Sequence, residues 1–198
     1  MARYSDIIGR YLYLDVEGME YRVYLEEAGQ GIPLVCQHTA GSDGRQYRHL
    51  LEDKEITSRF RVISVDLPYH GKSLPPAAKR YWEEEYKLTK DWFMTFWIRL
   101  VEELELDQPI FMGCSMGGHL ASDLALHHAA SFRACIGLEA SMWSGGFDQL
   151  FQHWWRHPRL SNEAKPAMML SLCSPNSPEV SVRETVWTYS QGAPPVFP

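Results

Sequence analysis

At 198 residues, with 45% hydrophobic and 22% charged side chains, the chain is long enough for one globular domain with a substantial core. A formal net charge of -6 without any Lys/Arg block excludes a nucleic-acid-binding surface. No apolar run approaches the roughly 18 residues of a membrane span, and Met1-Ala-Arg-Tyr-Ser-Asp6 lacks a signal-peptide core, so a cytoplasmic location is expected.

Tyr11 to Val16 and Tyr21 to Glu26 alternate apolar with polar residues across Glu17-Gly18, which predicts an antiparallel hairpin. A turn at Gly29-Gln-Gly31 leads into the short apolar run Leu34-Val-Cys36, which ends at His38-Thr-Ala-Gly41. A helix is expected from Arg45 to about Glu52, and then a strand over Phe60–Asp66 closed by Leu67 to Ser73. After Thr89, residues Phe93, Phe96, Trp97, Leu100, Val101 and Leu104 recur at helical spacing, with Arg99, Glu102 and Glu103 elsewhere on the wheel. The run Pro109-Ile-Phe-Met then enters Gly113-Cys-Ser-Met-Gly117, followed by a helix to about His128 and a strand over Ala134–Glu139. Cys36, Cys114 and Cys135 fall in or at the end of these buried strands; with Cys173 they form no zinc or disulfide pattern.

Short apolar strands alternating with amphipathic helices after a hairpin predict an α/β fold, a mostly parallel twisted sheet with helices on both faces. In such sheets sites form beyond the carboxyl ends of the strands. His38, Asp66, Ser115 and Glu139 all fall there. From residue 144 the strand–helix rhythm stops. Residues 144–198, aromatic at first and then punctuated by prolines, are expected to form a helical cap over a core of residues 1–143.

Ser115 in Gly113-x-Ser115-x-Gly117 occupies a strand-to-helix turn that exposes its hydroxyl and aims the Met116 N–H at a developing oxyanion. With this motif, Gln37-His-Thr-Ala-Gly41, Asp66-Leu-Pro-Tyr-His-Gly-Lys-Ser73 and Leu138-Glu-Ala140 stand in the order and spacing of the α/β-hydrolase superfamily, which the chain resembles. Its small-molecule carboxylesterases and lactone or C–C bond hydrolases are the most similar. The resemblance implies an acyl-enzyme on Ser115, with oxyanion donors from Met116 and from Ala40 or Thr39, and Glu139 as the acid. It also implies a general-base His beyond further C-terminal strands, which this sequence does not display, so a truncated fold is expected.

His38 is read as a residue that orders the oxyanion loop rather than as a base, and with Trp143, Phe147 and Trp154 it is expected at the substrate cleft. His70 and Asp66 are read as turn residues. His153 and His157 could face one way on a helix, but no third ligand accompanies them, so neither metal nor cofactor is expected. Two function classes follow. One is a serine hydrolase of a small apolar ester or lactone; the other is a catalytically incomplete fold that binds a ligand or partner. In either case the last strand forms an apolar edge, for which a homo-oligomer or a complementing C-terminal fragment is the expected partner.

Overall fold

The computed structural model describes residues 1–81, 83, 88–141 and 158–191. Strands β1 (Ile8–Val16) and β2 (Met19–Ala28) form the opening hairpin, with Val16 opposite Met19. Glu17 and Gly18 both take positive φ, 54° and 78°, the pattern of a two-residue hairpin turn whose twist matches its strands. β2 also pairs antiparallel with β4 (Phe60–Asp66). β4, β3 (Ile32–Gln37), β5 (Ile110–Cys114) and β6 (Ala134–Leu138) run parallel, giving the order β1-β2-β4-β3-β5-β6. The sheet is mixed and mostly parallel. Gln37 lies in register with Val65 and Gly113, so the carboxyl ends of the parallel strands meet at one rim.

Alternation along the central strands divides the core in two. Leu34, Cys36 and Val62 pack with Tyr47 and Leu51, from a 3-10 turn (Gly44–Tyr47) and helix α1 (Arg48–Glu52), while the short helix α2 (Lys54–Thr57) adds Ile56. Val35, Ile63, Val65 and Phe111 face the other way, onto α3 (Lys90–Glu103) and α4 (Met116–His127). Helix α3 begins where Thr89 accepts the Trp92 N–H at 3.2 Å, and it buries the stripe Trp92, Phe93, Phe96, Trp97, Leu100 and Val101. The Trp97 ring meets Phe111 edge-on at 5.0 Å. Deleting a buried aromatic of this kind costs about 3–5 kcal/mol.

β6 ends the sheet. Its Ile136 and Leu138 remain 40% and 39% exposed. The expectation that Cys135 lies in a buried strand is therefore corrected: among the described residues the strand has a neighbour on one edge only, and the thiol is half-buried. Residues 158–191 form helices α5 (Pro158–Leu172) and α6 (Glu179–Tyr189), which pack on each other, and α6 also rests on the 3-10 turn. The helix expected from Phe147 to Arg156 lies outside the described residues. Among the described residues no helix is long and apolar enough to cross a membrane.

Candidate active site

Between β5 and α4 the chain reverses within one residue. Ser115 takes φ 52°, ψ -109°, outside the regions open to an L-residue without strain. Its neighbours permit this by being small. A Cβ on Gly113 would stand 2.2 Å from the Gly117 carbonyl oxygen, and one on Gly118 would stand 2.5 Å from that of Leu138. The Ser115 N–H donates to the Leu138 carbonyl at 2.8 Å, tying the bend to β6. As the first helical residue, Met116 has an N–H with no intrahelical acceptor, and among the described residues it has no other partner. Ser115 itself is half-exposed.

Across the rim, the loop after β3 accounts for its amides one by one. The Thr39 N–H donates to Gln46 Oε1 at 2.9 Å, the Gly41 N–H to His70 Nε2 at 3.1 Å, and the Ser42 N–H to the Thr39 carbonyl at 3.3 Å. Ala40 is the exception: its N–H has no acceptor among the described residues. Thr39, expected as an alternative oxyanion donor, is thereby corrected, because its N–H is already used.

His38 requires a correction too. The ring is fully buried rather than facing a substrate. Its Nε2 accepts the Leu67 N–H at 3.0 Å and its Nδ1 donates to the Thr39 carbonyl at 2.7 Å. His70 repeats the arrangement, Nε2 accepting from Gly41 and Nδ1 donating to the Pro68 carbonyl at 2.9 Å. Each ring bridges the loops after β3 and β4, and the two lie 4.7 Å apart. Burial drives the His38 pKa down to about 4 and that of His70 well below the usual imidazole value, with His38 lowering it further. Both are neutral struts. Asp66 anchors the same turn by accepting the Gly44 and Lys72 N–H groups, each at 2.7 Å, while burial raises its pKa to about 6.

Glu139 stands at the end of β6, exposed and at φ 50°. Its Oε2 accepts the Cys114 thiol at 3.3 Å, and no described histidine bonds to it or to Ser115 Oγ. Cys114 is pushed up to about 11, chiefly by burial, with Gln46 opposing that shift. On the outer side, α6 caps the loop: Ser42 Oγ donates to Thr188 Oγ1 at 3.3 Å, and Glu184 pairs with Arg48 and His49. Gln46 carries no motif, so only the fold brings it here. Trp143, Phe147 and Trp154, as well as His153 and His157, lie outside the described residues. Among those described, no cluster of three His, Cys, Asp or Glu could hold a metal ion.

Comparison with known proteins agrees with this fold. Residues 32–171 match the model of the α/β-hydrolase fold family. The pimeloyl-[acyl-carrier protein] methyl ester esterase of Aeromonas hydrophila is 35% identical over 122 residues, 60% of this chain and 42% of that protein. The 2-hydroxymuconate semialdehyde hydrolase of a Pseudomonas species is 28% identical over 116 residues, 58% of this chain and 38% of that protein. The chain thus spans about 40% of the length of these curated relatives. A hydrolase from Pseudomonas aeruginosa superposes with a TM-score of 0.78 at 18% identity, covering 94% of this chain and 69% of its own. With its family model matched over well more than half the chain, the protein belongs to the α/β-hydrolase fold family.

Proposed function

We propose that this chain carries the nucleophile half of a serine hydrolase that cleaves a small, apolar carboxylic ester or lactone through an acyl-enzyme on Ser115. The observation that carries the proposal is a hydroxyl held at positive φ at a rim where two amides, Ala40 and Met116, have no acceptor among the described residues. Ser115 Oγ attacks the acyl carbon, and the oxyanion that forms accepts both N–H groups. Fixed donors of this kind contribute about 2.7–4 kcal/mol each in the transition state. The alcohol leaves, and water then releases the acid from Ser115. Trp143, Phe147 and Trp154 would line the apolar cleft, and Glu139 would be the acid that orients the base. Attack at neutral pH needs that base, and His38 and His70 do not supply it, because every ring nitrogen is bonded to backbone.

A second reading, a catalytically incomplete fold that binds a ligand or partner, is favoured by the lack of any described histidine at Ser115 or Glu139. A fluorophosphonate probe separates the two. Labelling of the wild type that disappears in Ser115→Ala supports the hydrolase, whereas no labelling of a folded protein supports the binding module.

A further inference from the structure

Gln46 sits in the 3-10 turn, away from any recognised motif, yet its carboxamide holds the loop after β3. Oε1 holds the Thr39 N–H at 2.9 Å. Gln46 thereby ties its own turn to the loop after β3, whose strand lies in register with β5 just before Ser115. We propose that Gln46 is a positioning residue: by consuming the Thr39 N–H it leaves Ala40 as the oxyanion donor and fixes the loop that presents it to the nucleophile.

A buried N–H without an acceptor costs about 1–3 kcal/mol. If Gln46 is removed, Thr39 must find another acceptor, and the adjacent peptide rotates to do so. The Ala40 N–H belongs to that next peptide and would swing with it. A donor displaced by about 1 Å in such a site is worth about 100-fold in rate. His70 would still hold the N–H of Gly41, so the loop would shift rather than unfold.

This inference rests on the proposed role of Ser115, and the experiment is chosen so that the two can fail separately. Wild type, Gln46→Ala and Gln46→Glu are compared in hydrolysis of a short-chain p-nitrophenyl ester, in the rate of fluorophosphonate labelling, and in amide hydrogen exchange. A carboxylate at position 46 still accepts the Thr39 N–H, so Gln46→Glu is the rescue. The expected result is a kcat and a labelling rate about 100-fold lower in Gln46→Ala with KM little changed, most of it recovered in Gln46→Glu. Thr39 should lose exchange protection in Gln46→Ala and keep it in Gln46→Glu. An unchanged kcat in a folded Gln46→Ala, or a Gln46→Glu as impaired as the alanine variant, would overturn the proposal. If the wild type is not labelled at all, the role of Ser115 fails, and the exchange pattern alone decides: Thr39 protected equally in all three proteins would still overturn the role of Gln46.

Discussion

The bend at Ser115 makes a prediction about stability that is independent of catalysis. At φ 52°, ψ -109° the residue lies in a region that glycine enters freely and an L-residue enters only with strain. Such strain is of order 1–3 kcal/mol. Replacing Ser115 by Gly should release it. Against this stands the greater freedom of glycine in the unfolded chain, worth about 0.4–1 kcal/mol. The net effect of Ser115→Gly is therefore a gain of about 1 kcal/mol, or about 2–4 °C in Tm for a domain of this size.

Ser115→Ala is the control, since it keeps the Cβ and hence the strain. The Ser115 hydroxyl has no hydrogen-bond partner among the described residues, so its loss should change stability by less than about 0.5 kcal/mol. Urea unfolding of the three proteins, followed by tryptophan fluorescence, would give the midpoints, with an unchanged slope guarding against an altered unfolded state. The expected order is Ser115→Gly above Ser115→Ala, with the alanine variant close to wild type. A glycine variant no more stable than the alanine variant would refute the claim that this bend stores strain.

Other predictions follow from the same geometry. Gly113→Ala would set a Cβ against the Gly117 backbone at 2.2 Å, so a loss of about 3 kcal/mol or more is expected in the same urea assay, with loss of Ser115 labelling. On acidification the neutral histidines and Asp66 oppose each other. His38, depressed from 6.5 to about 4, contributes stability that is present above pH 6.5 and lost as the pH falls towards 4, about 3 kcal/mol in all, and His70 acts in the same direction. Asp66, raised from 3.8 to about 6, contributes stability that is complete below 3.8 and lost as the pH rises through 6, which offsets about 3 kcal/mol. Asp66→Asn should accordingly lose stability more steeply than wild type between pH 6.5 and 4, and equal slopes would contradict this. The open edge of β6 is proposed to pair with a second copy or a complementing fragment; a strictly monomeric species in sedimentation at all concentrations, unaltered by Ile136→Lys, would remove the homo-oligomer.

Periodicity made the scaffold legible. The α3 stripe needed no tertiary information, because Phe93, Phe96, Trp97, Leu100 and Val101 recur at the helical period and all are buried. The Ser115 turn was legible for a different reason: only glycine fits at 113 and 118, and that requirement is written directly in the sequence. What could not be read was the partnering of individual amides. Thr39 and Ala40 are adjacent and unremarkable in sequence; what separates them is Gln46, which packs under the loop from a neighbouring element. His38 orders its loop, as its position suggested, but its expected place at the substrate cleft misled for a related reason. A histidine at a strand's carboxyl end suggests contact with a ligand, but here the loops after β3 and β4 cross closely enough to absorb both ring nitrogens.

The groups that fix the loop also share a property with chemical consequences. His38 and His70 are held neutral by burial, and Gln46 and Thr39 carry no charge. Tyr189, pushed up to about 12 by burial, stays protonated. The loop is thus set by dipoles rather than ions. A fixed cation there would attract any anion, including a released carboxylic acid, as strongly as the transition state. Oriented N–H groups instead would favour the compact oxyanion proposed to develop between Ala40 and Met116, and they need no reorganisation as it forms. The buried imidazoles follow the same logic: a protonated His38 could not accept the Leu67 N–H, so its neutrality is a condition of the loop's shape. Acid should therefore impair labelling of Ser115 before it unfolds the sheet, as the two rings begin to charge and the loops after β3 and β4 separate. Labelling that falls only in step with global unfolding would show that the rings do not govern the loop.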